Sequence, residues 1–236
     1  MRKDSANPPQ TPKPLHSAQP SVELRVVPLT FAGGELHVLL WNEAGTCTLP
    51  LTTPEPSHTL DETAVELVRR SLGFSEQYLE QLYSLSDDTR EHWSIIISYI
   101  ALVRSSDQLV HPKQGSWQPL SRRPVLSPSD QRVVEYALFR LRAKLGYTTI
   151  AFHLMPELFT LSELQTVFET ILDRTLDKRN FRRRMATLGI LAGSRESRRD
   201  GSHRPAKLYR FLPDRDPTDY LTPPWASTQP EEQGVR

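Results

Sequence analysis

The sequence predicts an α+β chain in two parts: a body of mixed strands and helices, then a small head of two helices and a hairpin. Three observations predict it. Apolar runs with strand and helix periodicity alternate between Val22 and Leu145. From Tyr147 the pattern is chiefly helical until a glycine-containing hairpin. The charge is also unevenly divided. Between Arg174 and Arg210 twelve basic residues stand against three acidic ones, a charge of +9, whereas the whole 236-residue chain carries +1 and the remainder therefore −8. Such asymmetry is expected where one part meets a polyanion.

Residues 1–20, rich in Pro, Ser and Gln, are expected to form a disordered tail, because they offer too little apolar surface to bury. A second tail is expected over 213–236, where Tyr220 and Trp225 are able to dock on the body. Val22–Phe31 and Leu36–Trp41 read as strands joined through Ala32-Gly33-Gly34-Glu35, a β-hairpin. Leu60–Leu72 reads as a helix stopped by Gly73, with Leu60, Ala64, Leu67 and Val68 at helical spacing. Trp93–Val103 is a strand, and Trp117-Gln118-Pro119-Leu120 a short further one. Ser127-Pro128 opens a helix with proline at its first position, and Gly146 ends it. Its apolar face is Val133, Val134, Ala137, Leu138, Leu141 and Leu145. This mixture makes the body, residues 21–147, α+β or α/β.

The head spans 148–212. Thr160-Leu161-Ser162-Glu163 is a capping box. The helix after it buries Leu161, Leu164, Val167, Phe168, Ile171 and Leu172. After a turn at Arg174-Thr175-Leu176, Asp177 caps a second helix. Phe181, Met185 and Leu188 form its apolar stripe. Arg179 and Arg183 point away from that stripe, Asn180 to one side of them and Lys178 and Arg182 to the other. Gly189 ends the helix, and two apolar segments then flank the basic stretch Gly193–Pro205. Helix, basic helix and wing, in that order, make a winged helix-turn-helix DNA reader. Arginine suits bidentate contacts to guanine and phosphate, and asparagine suits adenine. The expected DNA-binding residues are Lys178, Arg179, Asn180, Arg182, Arg183 and Arg184 on the helix, and Arg195, Arg198, Arg199, Arg204 and Lys207, with His203, on the wing. A solvated cationic helix is the plain alternative, but cap, turn, face and hairpin agree with one another. RNA is the alternative partner.

The segment Leu49–Phe74 resembles the Nudix box, Gly-x5-Glu-x7-Arg-Glu-U-x-Glu-Glu-x-Gly-U, where U is apolar. Gly73-Phe74 match the final Gly-U, Val68 the first U, and Leu49-Pro50 a Leu-Pro that commonly precedes the box. The polar positions differ. Thr52 stands for the first glycine, His58 for the next glutamate, Glu66-Leu67 for Arg-Glu, and Arg70-Ser71 for the metal-binding Glu-Glu. Mg²⁺ needs hard oxygen ligands, so Arg70 repels the metal where the box would hold it. Glu62 and Glu66, one turn apart, are the nearest substitute, although such a pair is ordinarily a solvated face.

Tyr78–Tyr83, the strand after it, Leu176–Arg184 and Ala206–Phe211 resemble the Nudix-related transcriptional regulators. That resemblance covers about residues 20–212. It implies a Nudix-like α/β/α sandwich followed by a winged helix, and the altered box, with Arg70 and Ser71 for the metal-binding pair, leads us to expect no enzymatic activity and no cofactor. The resemblance also implies a homodimer on a palindromic site in double-stranded DNA, with a small phosphorylated metabolite such as ADP-ribose as effector. Arg69 and Arg70 are the candidate ligand-binding residues in the former catalytic cleft. The alternative functions are a residual Nudix pyrophosphohydrolase with a nucleic-acid-binding appendage, and an RNA-binding protein.

The single cysteine, Cys47, excludes an intramolecular disulfide framework and fits a reducing compartment. No apolar run reaches the length of a membrane span, and the basic N-terminus lacks the apolar region of a secretory signal. The expected location is cytoplasmic. Trp93 and Trp117 read as packing residues, His58 and His111 as surface residues, and no two histidines have metal-site spacing.

Overall fold

Strands β1 (Ser21–Ala32) and β6 (Trp93–Val103) lie side by side and parallel at the centre of a seven-stranded sheet, in register from Ser21↔Ser94 to Thr30↔Val103. Strand β2 (Glu35–Glu43) returns antiparallel to β1 through Gly33 and Gly34, which have φ of +59° and +85°. Both turn positions need φ > 0, so the Gly-Gly pair dictates this hairpin. Strand β5 (Tyr78–Asp88) closes the edge beyond β6. Three short strands, β3 (Thr46–Thr48), β4 (Leu51–Thr52) and β7 (Ser116–Pro119), pair with β2, β1 and β2. The structure, a computed structural model, describes residues 19–43, 46–74, 78–88, 93–104, 111–198 and 205–213. Most of both predicted tails therefore lies outside the described residues.

Side chains alternate across the sheet, as strand geometry requires. Leu24, Val26, Leu39, Trp41, Tyr99, Ala101 and Val103 face helix α1 (Leu60–Leu72), which buries Ala64, Leu67, Val68 and Leu72 against them. Val27, Leu29, Val38, Leu40, Ile96, Ile100 and Leu102 face the other way, toward helix α2 (Pro128–Lys144). This second core does not stop at the body. It runs on through Ile150, Ala151, Phe152 and Leu154 of a 3-10 segment into α3 (Leu161–Leu172) and α4 (Lys178–Leu188), ending at Ile190.

The helix limits agree with the sequence reading. Gly73, at φ +91°, terminates α1. Ser127 caps α2 by accepting from Asp130 N at 3.1 Å, with Pro128 at the first helical position. The wing departs from expectation. Its first strand, β8 (Leu191–Arg198), extends into the first half of the basic stretch Gly193–Pro205, and pairs with β9 (Ala206–Phe211). Arg195 and Arg198 thus sit on a strand. Periodicity cannot show this, because both faces of a two-stranded ribbon are largely exposed and the strand carries no apolar alternation. Strand β5 also goes unread as a strand in the sequence, and a register shift between Gln81 and Ser84 explains why its alternation is broken.

Candidate nucleic-acid interface and ligand cleft

The head is held by local chemistry. Thr160 and Glu163 form the predicted capping box, at 3.1 Å and 2.6 Å. α3 ends at Asp173, whose φ of +54° is left-handed. The turn that follows is pinned from within α3. Glu169 accepts from the Leu176 N–H at 2.8 Å, and the Gln165 amide donates to both Glu169 and the Leu176 carbonyl at 2.9 Å. Sequence reading missed these two residues, because a glutamine and a glutamate at i and i+4 look like a solvated face. Asp177 then caps α4 by accepting from Asn180 N at 2.8 Å. Phe181 packs edge-on against Phe168, ring centres 5.4 Å apart, and Met185 is buried beside it.

Burying Phe181 and Met185 turns the opposite face of α4 outward. Lys178, Arg179, Asn180, Arg182 and Arg183 are all exposed. Arg183 donates to the Asn180 side-chain oxygen at 2.9 Å, and Arg182 reaches Ser162 at 3.5 Å. Arg184 differs from its neighbours: it is half-buried, and burial pushes its guanidinium pKa down. On the wing, Arg195 and Lys207 are exposed. Arg198 is turned inward, donating to Glu163 at 2.9 Å and reaching the Leu158 carbonyl at 3.5 Å. It ties β8 to the start of α3. Arg199, His203 and Arg204 lie outside the described residues. The wing is further tied to the segment before α3, with Phe159 and Tyr209 exchanging backbone hydrogen bonds at 3.0 and 2.8 Å.

The second candidate site lies on the opposite face of the sheet. A cavity of ≈ 140 Å³ is lined by Thr52, Thr53, Glu55, His58, Thr63, Glu66, Leu67 and Arg70. Five of these, Thr52, His58, Glu66, Leu67 and Arg70, occupy the altered polar positions of the box pattern. Ser71, the sixth, is buried and donates to the Leu67 carbonyl at 2.8 Å. Of the two candidate arginines, only Arg70 lines the cavity. Its guanidinium lies 5.6 Å from the ring centre of Trp41, a residue only 5% exposed. Arg69 is held by Glu66 in a bidentate pair at 2.6 and 2.7 Å.

A divalent metal does not fit this donor set. Glu62 is engaged in capping α1, where Thr59 donates to it through both its backbone and its hydroxyl, lowering its pKa. Glu66 is engaged by Arg69, which lowers its pKa in turn. The i, i+4 acids therefore do not converge. Among the described residues no group of three His, Cys, Asp or Glu is placed to hold a metal ion.

Other polar groups tie the sheet to α2 and α2 to the head. Buried Arg25 on β1 pairs with Asp130 of α2 at 2.8 Å and with Glu23 at 2.6 Å. Burial acts to lower the Arg25 pKa, but the two carboxylates overcome it and raise the value. At the other end of α2, Lys144 and Arg140 hold Glu80 of β5, and Arg142 donates to the Ile171 carbonyl at the end of α3 at 2.7 Å. Among the described residues no helix is long and apolar enough to cross a membrane.

Residues 151–211 match the family described as the NrtR DNA-binding winged helix domain. Over 146 residues the chain is 37% identical to the ADPR responsive transcriptional repressor NtrR of Acinetobacter baylyi, covering 59% of this chain and 58% of that relative's length. Its fold is similar to that of Shewanella oneidensis NrtR crystallised with a 27mer DNA: TM-score 0.74 and 26% identity, over 82% of this chain and 94% of that one. A MutT/nudix family protein from Enterococcus faecalis shares the fold at TM-score 0.62 and 18% identity, over 83% of this chain and 89% of that one. A Nudix-like body with a winged helix behind it is thus the arrangement that this chain shares with the NrtR fold, and its residues 151–211 match the NrtR DNA-binding winged helix domain.

Proposed function

We propose that the protein is a cytoplasmic, ligand-responsive transcriptional repressor that binds double-stranded DNA as a homodimer. In this reading residues 148–212 bind DNA, residues 21–147 sense a phosphorylated metabolite of the ADP-ribose kind, and 1–20 and 213–236 are tails. One observation carries it: α4 buries Phe181 and Met185 and turns Arg179, Asn180, Arg182 and Arg183 outward together. Two features support the choice of DNA. The NrtR of Shewanella oneidensis was crystallised with a 27mer DNA, and one recognition helix reads few base pairs, so a symmetric dimer on two half-sites supplies the needed specificity. The effector class is supported by the name of the Acinetobacter relative.

In this reading Lys178, Arg179, Asn180, Arg182 and Arg183 meet the groove, Arg195 and Lys207 follow the phosphates, and Arg199 and Arg204 join them. Arg184 and Arg198 serve the head's packing instead. The body does not hydrolyse, because the metal-binding glutamates are Arg70 and Ser71. The test is titration of the full-length chain against duplexes from its own upstream region, with a hairpin RNA as competitor. Saturable duplex binding with dimer stoichiometry, weakened by ADP-ribose, is the expected result. Preference for the RNA hairpin would overturn it.

A further inference from the structure

Resting on the reading of the body as a sensor of a phosphorylated metabolite, we propose that the cavity beside α1 binds a diphosphate without a metal ion, Arg70 supplying the positive charge there. Nudix hydrolases use a carboxylate-held cation to neutralise the diphosphate. This chain has changed the carboxylates and the need for them together. Arg70 stands where the box has a metal-binding glutamate, it lines the cavity, and it is exposed to an incoming ligand. Among the described residues it forms no ion pair, so its fork of N–H donors is available. A guanidinium matches the oxygens of a phosphate bidentately, without the geometric demands of Mg²⁺.

The surroundings hold this cation in place and engage the nearest carboxylate elsewhere. The Trp41 ring under it is almost wholly buried, so it is a rigid platform for a cation–π contact. The nearest carboxylate on the same helix, Glu66, has both oxygens on Arg69 at 2.6 and 2.7 Å. Arg69 thereby neutralises a group that would otherwise compete with phosphate for Arg70. Thr52, Thr53 and His58 line the same space and offer further donors. Glu55 is the opposing charge, and it disfavours phosphate.

The experiment is calorimetric titration of the full-length protein with ADP-ribose, and separately with inorganic pyrophosphate, in EDTA and in MgCl₂. Binding should be equally tight in both buffers. Arg70→Ala should weaken it in both by roughly tenfold or more, the scale of a lost charged hydrogen bond. Arg70→Lys should recover part of the loss, and Glu55→Gln should tighten binding. Melting temperatures of the variants confirm that the fold is kept, since Arg70 is exposed. Binding that requires Mg²⁺ would overturn the inference and leave the effector reading standing. Undiminished binding by Arg70→Ala would place the ligand elsewhere and also overturn it. No binding of ADP-ribose or pyrophosphate in either buffer would overturn both, while duplex binding measured alongside reports separately on the DNA-binding reading.

Discussion

Arg25 Nη1 stands 2.8 Å from Asp130 Oδ1, and this ion pair joins strand β1 to the helix that leads to the head. Arg25 lies on β1 in register with Leu51 of β4, next to Thr52 in the cavity wall. Asp130 also accepts from the Thr48 hydroxyl at 3.0 Å and the Leu49 N–H at 3.3 Å. One carboxylate in the first turn of α2 thus gathers β1 and the residues around β3. At its far end α2 reaches α3 through Arg142. A ligand can change DNA affinity only by binding two arrangements of the chain unequally. In the proposed reading, the β4–β1 pairing that borders the cavity and the Arg25–Asp130 junction together are the elements through which a ligand would bias the position of α2.

Replacing Asp130 by alanine should therefore be costly. It leaves Arg25 with Glu23 as its one carboxylate partner beside the Ser129 hydroxyl, and removes the acceptor of a buried backbone N–H. Breaking a buried pair typically costs about 3–5 kcal/mol, and urea unfolding should show a loss of that order. A loss below about 1 kcal/mol, the value of an exposed pair, would show that the junction is wet and contributes little.

Glu80 supplies a pH dependence. Burial acts to raise the pKa of its carboxyl, but donors from Lys144, Tyr78 and Arg140 outweigh burial and hold it below the usual range. Such a group contributes stability that is fully present above its unfolded pKa, about 4.3, and lost as pH falls through the lower folded value. At neutral pH Glu80→Gln should cost about 1–3 kcal/mol, the worth of hydrogen bonds to a charged group. That difference should close as the pH is lowered past 4.3. Parallel stability curves for the two proteins down to the acid limit would remove Glu80 from the account.

On α4, Arg183 and Asn180 share a hydrogen bond, so in the proposed reading they would not contact DNA independently. Adenine recognition needs both the oxygen and the NH₂ of an asparagine, and here Arg183 holds the oxygen in the free protein. Asn180→Ala and Arg183→Ala should each cost about 1–3 kcal/mol on the cognate duplex. The double variant should lose measurably less than the sum, with a coupling on the order of 0.5–3 kcal/mol. Fluorescence anisotropy with cognate and scrambled duplexes measures this, and strict additivity would mean that the contact is absent in the bound state.

The wing gives a contrast between two kinds of arginine. Arg195 is exposed, so Arg195→Ala should lower the salt slope of binding by about 0.9 if it meets one phosphate. Arg198 is engaged with Glu163, so Arg198→Ala should leave the slope unchanged and cost about 0.2–1 kcal/mol of stability. Equal slope changes would show that Arg198 leaves Glu163 for the DNA.

These cases show what a sequence can and cannot reveal. The Gly33-Gly34 hairpin, the Gly73 stop and the Thr160 and Asp177 caps were legible because each is set by residues within a few positions of one another. The outward face of α4 was legible for the same reason, since Phe181 and Met185 define its opposite. Arg25 and Asp130 are 105 residues apart and carry no local signal of their meeting. The cavity was half legible: the box spacing marks positions 52–71, but not that Arg69 would turn to Glu66 while Arg70 lay over Trp41. The Arg198–Glu163 pair was not legible, because a count of basic residues does not show which of them the fold itself engages.

The proposed boundary at residue 147 divides function more than it divides the core. Ile150, Ala151, Phe152 and Leu154 are buried in the same cluster as Val27, Leu29, Ile100 and Leu102 of the sheet. Arg142 of α2 bonds the end of α3 at 2.7 Å, Thr170 of α3 reaches the Gly34 carbonyl at 3.4 Å, and the His153 ring lies 4.7 Å from that of Tyr78. A fragment of residues 148–212 would expose these apolar faces. Fully burying one large aliphatic or aromatic side chain contributes about 1.5–3 kcal/mol, so exposing several removes a large part of the 5–15 kcal/mol that holds a typical domain together. We therefore expect the fragment to lack cooperative thermal unfolding and to bind duplex DNA far more weakly than the full chain. Circular dichroism melting and duplex titration of both proteins measure this. A fragment that melts cooperatively and binds as tightly as the full chain would show that the head stands alone, and that a ligand in the body must act by setting the spacing of two independent heads.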